Sequence, residues 1–180
     1  MESKKPSKVH IYQNITNNIN VSPKKTITKK GKATKSSKAK KNGIRELYEG
    51  DTDIYESVCD TVKQVLEEKG KFNFNGIPEK KFDTKPLYTY MNGNMYFGQW
   101  DPKTNEKHGQ GIYLYSTGEI YEGYFEFGLE HGRGRHIYKC GSYYIGEYYY
   151  GKKHGQGLYV YGGGSKLSGG TYKGQYKRNK

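Results

Sequence analysis

The feature that most constrains this chain is an internal repeat in its C-terminal half. The tetrapeptide His-Gly-x-Gly begins at His108, His131 and His154, and the spacing is 23 residues both times. A fixed period in this range is typical of small supersecondary units that stack side by side and bury their surfaces against each other. The sequence therefore predicts a repeat architecture.

A second motif, aromatic-x-Gly-x-aromatic, precedes each copy of the first. Its central residues are Gly98, Gly123 and Gly146, and a further copy is centred on Gly174. Because the two motifs keep a constant order and nearly constant spacing, each pair reads as two strands joined by a short turn.

The repeat register slips in only two places, and both have the composition of loops. Residues 101–107 add two positions, and the glycine-rich stretch 162–170 adds five; such insertions are absorbed by turns. Residues 88–93 match part of the first full repeat. We therefore predict half a repeat, three full repeats and a truncated last repeat over residues 85–180.

Together these motifs resemble the MORN repeat (membrane occupation and recognition nexus), and the resemblance covers roughly residues 85–176. It implies an all-β fold, in which β-hairpins stack side by side into an elongated single-layer antiparallel sheet. It implies no activity, because MORN repeats serve as scaffolds in many settings.

Side chains alternate between the two faces of a strand, so the pattern predicts an aromatic face and an aliphatic face. The aliphatic parity of the second strands includes Ile112, Ile137 and Leu158. A free one-layer sheet would leave much of this surface in water, and we expect a partner to cover some of it. The candidate partner-contacting residues are the aromatic-parity Tyr113, Tyr115, Tyr138, Tyr159 and Tyr161, since buried interface tyrosines often dominate binding.

Glycine recurs inside the predicted strands, where it costs roughly 0.5–1 kcal/mol relative to alanine. This cost indicates that a ring or a backbone passes close to each position. We therefore assign a structural role in repeat packing to Gly98, Gly111, Gly123, Gly134, Gly146, Gly157 and Gly174.

The three repeated histidines are poorly spaced for a shared metal ion. Equivalent residues of successive hairpins lie about 10 Å apart, whereas zinc needs each nitrogen at about 2.0–2.1 Å. For His108, His131 and His154 we predict instead a structural role, hydrogen-bonding the hairpin at its turn. The sequence carries no recognisable nucleophile pattern, phosphate loop or dinucleotide fingerprint. We expect no enzymatic activity, cofactor, metal or small-molecule substrate.

Residues 1–43 differ sharply in composition from the repeats. They hold twelve lysines against one acidic residue, so that most of the chain's net charge of +13 lies here. With little apolar material this arm is expected to be disordered unless bound. Ile11 and Tyr12, in its least polar stretch, are further candidates for partner contact.

A linker over residues 44–84 joins the arm to the repeats and contains one amphipathic pattern. Its apolar stripe includes Ile54, Val58 and Val62, which predicts a helix over residues 53–69 that ends at Gly70. The helix would pack on the aliphatic face of its own sheet, cap the open first edge, or dock on another protein.

No secretory signal or membrane-spanning run is present in the sequence given, and its two isolated cysteines suggest a reducing compartment. We therefore expect a protein of the cytoplasm or cytoskeleton. The short MORN proteins that the chain resembles occur in ciliary radial-spoke heads and related axonemal complexes. This resemblance implies a scaffold subunit of the axoneme, whose partners are other subunits or another MORN protein.

Two alternatives depend on the basic arm. A membrane-peripheral scaffold would use the lysines to bind anionic lipid, at about 1 kcal/mol per residue near the surface. A nucleic-acid-binding protein would use them on phosphates, without reading sequence. An acidic filament surface would attract the arm for the same electrostatic reason.

Overall fold

A computed structural model describes residues 53–75, 82–163 and 166–180 of the chain. A short 3₁₀ turn, Asp53–Tyr55, precedes the helix α1, Asp60–Lys69. Eight strands follow: β1 Asp83–Thr89, β2 Met95–Trp100, β3 Lys107–Leu114, β4 Ile120–Glu126, β5 Leu129–Ile137, β6 Tyr143–Tyr149, β7 Lys152–Val160 and β8 Thr171–Tyr176. The basic arm, with Ile11 and Tyr12, lies outside the described residues.

The eight strands form one open sheet in which sequence order is also spatial order, and all neighbours are antiparallel. This meander confirms the predicted single-layer antiparallel sheet. Both predicted extensions of the three full repeats are strands: β1 holds residues of the half repeat, and β8 holds the last aromatic-x-Gly-x-aromatic motif.

Two kinds of short turn recur between the strands, besides the longer connections of residues 101–106 and 161–170. The four-residue turns end at Gly93, Gly118 and Gly141, whose φ angles of 80°, 85° and 77° suit glycine. Each of these glycines donates its N–H to the carbonyl three residues earlier, at 2.9 Å. The other kind consists of residues 127–128 and 150–151, which have positive φ at both positions, as in a type I′ hairpin.

The two-residue turns are also bonded to the hairpin before them. Their glycine N–H groups reach back across the strands to backbone carbonyls, and a turn after β8 repeats the contact. The bonds are Gly128 to Lys107 at 2.9 Å, Gly151 to Glu130 at 2.8 Å and Asn179 to Lys153 at 2.9 Å.

The helix is shorter than the sequence predicts, because it begins at Asp60 rather than at residue 53. The N–H of Cys59, which would continue a helix back toward Tyr55, donates instead to the carbonyl of Gly118 in the sheet at 3.2 Å. Cys59 is extended, with ψ of 156°. Contact with the sheet therefore replaces the first predicted turns, while the predicted end at Gly70 agrees with the structure.

The helix and its flanking turns pack on the aliphatic face of the sheet. Ile54, Val58, Val62 and Phe72 are buried there. Of the alternatives left open by the sequence, the structure shows packing on the chain's own sheet. The sheet residues in this core are Phe97, Ile112, Leu114, Ile120, Tyr124, Ile137, Tyr143, Ile145 and Leu158.

A buried ion pair, which the repeat pattern did not predict, fixes this layer at its centre. Glu122 and Arg135 face each other across β4 and β5, and both are almost fully buried. Glu122 also accepts hydrogen bonds from the Tyr55 hydroxyl at 2.9 Å and the Phe72 amide at 3.1 Å. Arg135 donates to the Gly70 carbonyl at 2.8 Å. The pair thus ties the residues on both sides of α1 to the sheet.

Candidate functional site

The opposite face of the sheet is aromatic, and its floor is a row of packed rings. Tyr96, Tyr121 and Tyr144 are fully buried. They meet their neighbours edge to face at ring-centroid distances close to 5 Å, for example 5.1 Å between Tyr96 and Phe125 and 5.1 Å between Tyr121 and Tyr148. Such geometry is favourable for aromatic pairs, so the floor is a rigid surface.

The floor tyrosines lie directly over the recurring glycines. Gly98 pairs with Gly111, and the row continues through every strand to Gly174. A Cβ added at Gly111 would lie 2.5 Å from the ring of Tyr96, and one at Gly146 would lie 2.5 Å from the Tyr144 hydroxyl. No side chain fits between ring and backbone, which is the close approach that the strand glycines indicated.

Each floor tyrosine also bonds its own strand. The hydroxyls of Tyr96, Tyr121 and Tyr144 donate to the carbonyls three residues later, at 2.8, 3.0 and 2.9 Å. The ring is thereby held flat along the strand, over the glycine row, and its hydroxyl stays hydrogen-bonded although it is buried.

The first glycine of each His-Gly-x-Gly motif has a different purpose from the second. Gly109, Gly132 and Gly155 have φ angles of 67°, 63° and 61°. They lie where the second strand of each hairpin carries more residues than its partner, which is a β-bulge. The first glycine of the motif therefore adopts the positive φ of the bulge, and the second leaves room for the tyrosine ring.

The histidines lie at the start of β3, β5 and β7, and two of them contact the turn of the next hairpin. The His108 ring lies 5.4 Å from that of Phe127, and the His131 ring lies 4.5 Å from that of Tyr150. Nδ1 of His131 accepts from the Tyr150 amide at 3.5 Å. Nε2 of His131 also lies 3.2 Å from Oε2 of Glu126, across the turn of its own hairpin. The His108 and His131 rings thus connect successive hairpins, and the hydrogen bonding at the turn stays a prediction. His154 packs against Tyr149 at 5.6 Å.

The predicted contact tyrosines form a rail beside the floor. Tyr113, Tyr115, Tyr138, Tyr159 and Tyr161 are all partly exposed. Successive rings are close, with 4.9 Å between Tyr113 and Tyr115 and 6.0 Å between Tyr138 and Tyr159. The structure thus brings all five together on one side of the aromatic face.

One member of the rail was not predicted. The His136 ring is stacked between those of Tyr115 and Tyr138, at 5.2 and 4.2 Å. The signal in the sequence was that His136 occupies the repeat position held elsewhere by Tyr113 and Tyr159. Burial and the charge of Lys153 lower the pKa of His136 to about 3, so its imidazole is neutral at ordinary pH.

Three charged side chains cross the aromatic face and were also missed. Lys107 lies 4.5 Å from the ring centroid of Tyr113, and Lys153 lies 4.6 Å from that of Tyr159, as in cation–π contacts. Between them Glu130 accepts a hydrogen bond from the Tyr115 hydroxyl at 2.6 Å. Burial lowers the pKa of both lysines and raises the pKa of Glu130.

The described residues contain no group of three His, Cys, Asp or Glu side chains that could hold a metal ion. In the same part of the chain, no helix has the length and apolar character to cross a membrane. The aromatic face presents rings, hydroxyls and three charged side chains.

Comparison with protein families identifies the repeats. The MORN repeat model matches residues 96–120, 121–142 and 144–166. None of the curated proteins matches the chain. Residues 96–166 of the chain therefore contain three MORN repeats, and each match begins within the first strand of a hairpin described above. MORN repeats commonly mediate interactions with proteins or with membranes.

Proposed function

We propose that this chain is a non-enzymatic scaffold subunit that binds other proteins through its aromatic face. The observation that carries the proposal is the difference between the two faces of the sheet. α1 and its flanks cover the aliphatic face, whereas the tyrosine rail and the three charges on the aromatic face remain partly exposed. A rigid aromatic surface with polar tips is typical of protein interfaces.

We further propose that the assembly is cytoskeletal, and specifically the ciliary axoneme. Support comes from the resemblance to short MORN proteins of radial-spoke heads and from the shape of the sheet. A meander of eight strands exposes one long face to neighbouring subunits. Partners would be other subunits of that assembly, among them another MORN protein.

The test is proximity labelling in ciliated cells of the source organism, with the labelling enzyme fused to the full chain. Axonemal proteins should dominate the labelled set, and isolated axonemes should retain the chain after detergent extraction. Labelling of proteins from unrelated compartments, together with full extraction by detergent, would contradict the axonemal assignment.

A pair of variants links binding to the aromatic face. Tyr138→Ala removes a ring from the rail, and should reduce recovery of the labelled partners by about tenfold if this tyrosine is an interface hot spot. Met91→Ala, on an exposed turn outside the rail, is the matched control and should leave recovery unchanged. Equal recovery by both variants would exclude the rail as the binding surface.

A second function is favoured by a separate observation on the long edge of the sheet. Phe127, Leu129, Tyr149 and Tyr150 are exposed at adjacent hairpin tips, beside the exposed Lys152. Exposed aromatics flanked by a cation suit the headgroup region of an anionic membrane. This edge would act together with the basic arm of residues 1–43.

Liposome sedimentation tests this second function. Binding should require anionic lipid and should weaken both without residues 1–43 and in Phe127→Ser. Binding that depends on the arm alone would assign the lipid contact to residues 1–43, and equal binding to neutral vesicles would exclude the electrostatic contribution.

A further inference from the structure

The three charges on the aromatic face occupy one position of the repeat. Lys107 pairs with Trp100, Glu130 with Phe125 and Lys153 with Tyr148, in each case opposite the last residue of the aromatic-x-Gly-x-aromatic motif. We call these three residues the charged row. Its signs alternate, positive, negative, positive, across β3, β5 and β7.

The spacing along the charged row follows from the sheet itself. Neighbouring strands are about 4.7–4.9 Å apart, so members of the row, which are two strands apart, recur at about 9.5 Å. The backbone of each member accepts a hydrogen bond from the following turn, which holds these positions in place.

No member of the row has a counterion in direct contact within the described part of the chain, although Lys107 and Glu130 attract each other at a longer distance. None of the three forms an ion pair there. Both ammonium groups rest on aromatic rings, and the Glu130 carboxylate has the Tyr115 hydroxyl as its hydrogen-bond donor. Half-buried charges without a counterion in direct contact gain from an oppositely charged ligand.

A cavity opens at the Lys107 end of the row. It has a volume of about 640 Å³ and is bounded by apolar rings and two lysines, together with the exposed Glu106. The indole Nε1 of Trp100 in its wall is buried and has no hydrogen-bond partner among the described residues. Residues that line it include Lys85, Tyr88, Tyr90, Trp100 and Lys107. This site suits a carboxylate on an apolar stem.

We propose that the aromatic face binds an amphipathic α-helix of a partner protein, laid across the strands, that presents acidic, basic and acidic side chains at seven-residue spacing. The first acidic side chain enters the cavity at Lys107, the basic one meets Glu130, and the last meets Lys153. This inference rests on the proposed scaffold function and names the partner's chemistry.

The period of the row distinguishes a helix from an extended peptide. Seven residues of α-helix rise about 10.5 Å and return close to the same side, which is near the 9.5 Å of the row. In a strand, residues on one face recur at about 6.7 or 13.4 Å, and the third residue points to the other side. Only a helix therefore places all three of its charges on the side that faces Lys107, Glu130 and Lys153.

Synthetic helical peptides of 22 residues provide the test. One carries Glu, Lys and Glu at seven-residue spacing beside an apolar stripe, and a second carries Lys, Glu and Lys at those positions. A third keeps the order of the first at five-residue spacing, which scatters the charges around the helix. Fluorescence anisotropy measures each affinity for the full chain at low and high salt.

The first peptide should bind at least about tenfold more tightly than either of the others, and added salt should reduce the difference. The triple variant Lys107→Glu, Glu130→Lys, Lys153→Glu should prefer the second peptide. Because burying new charges can unfold a protein, Glu130→Gln is a milder variant, and it should reduce the preference without altering the circular dichroism spectrum.

Equal affinities for the first two peptides, or no binding by either, would overturn the inference. If this occurs while Tyr138→Ala still loses the labelled partners, the scaffold function stands and only the helical partner is wrong. If the peptides bind as expected but Tyr138→Ala retains every partner in cells, the proposed function is the part that fails.

Discussion

At the scale of single residues, the glycine row leaves almost no space for a side chain between the strands and the floor tyrosines. The ring of Tyr121 occupies the space that a side chain at Gly134 would need, with its Cζ 2.5 Å from the position of an added Cβ. Alanine is intrinsically better than glycine in a strand, but here it must displace a buried ring that is hydrogen-bonded through its hydroxyl.

Gly134→Ala should therefore lower the free energy of unfolding by about 1–3 kcal/mol, the usual cost of overpacking. Gly163→Ala is the matched control, because a Cβ at that loop glycine would meet nothing within 4 Å, and its effect should stay within about 0.5 kcal/mol. Urea unfolding of both variants measures the difference. Similar stabilities would contradict the role given to the Tyr121 ring.

His136 makes stability depend on pH in a defined direction. Its folded pKa is lowered to about 3 from 6.5, so below pH 6.5 the unfolded chain binds a proton that the folded chain does not. Stability is therefore lost as the pH falls from 6.5 toward 3. At pH 5 the loss from this residue is about 2 kcal/mol.

His136→Tyr replaces the histidine by the residue of the other two repeats and should remove this contribution. Thermal unfolding between pH 5 and 7.5 would show a smaller decrease on acidification in the variant than in the parent chain. An unchanged profile would mean that His136 is protonated without cost between its stacked rings.

At the scale of elements, the Glu122–Arg135 pair connects the helical layer to the sheet. The corresponding cross-strand positions of the next repeat are the aliphatic Ile145 and Leu158. The central repeat has thus exchanged an apolar pair for a buried ionic one that also bonds residues 70–72.

Arg135→Leu alone should destabilise the chain by about 3–5 kcal/mol, since it leaves the Glu122 carboxylate buried without its counterion. The double variant Glu122→Ile, Arg135→Leu copies the next repeat and should recover at least half of that loss. Full recovery is not expected, because the Phe72 amide and Tyr55 hydroxyl lose their acceptor. If the double variant is less stable than Arg135→Leu, the aliphatic exchange is not tolerated at this position.

At the scale of the whole molecule, most of the fold could be predicted and most of the surface chemistry could not. The fixed period and strand parity predict the meander, the two faces and the glycine packing, because these depend on local rules repeated several times. The start of α1 could not be predicted, since the bond from Cys59 to Gly118 joins residues far apart in sequence. Glu122 and Arg135 were missed because each breaks the repeat pattern at one position only. The charged row was missed because the sign of its charge changes from one repeat to the next.

A sheet whose units contact only their neighbours should also open from its ends. Amide hydrogen exchange should be slowest in β4, β5 and β6, which are covered by strands on both sides, and fastest in β1 and β8. β1 is weakened further by Pro86 and by a shift in register after Lys85. Uniform protection across all strands would indicate a single cooperative unit instead.

Each two-residue turn is hydrogen-bonded to the preceding hairpin in the same way, so successive hairpins are evenly spaced along the sheet. Gain or loss of one 23-residue unit would change the reach of the aromatic face by a fixed step of about 9.5 Å. A helical ligand would follow that step by adding or removing two turns. Duplication of one repeat would therefore change, by a fixed increment, the length of helix that the aromatic face can bind, while the chemistry of each contact stays the same.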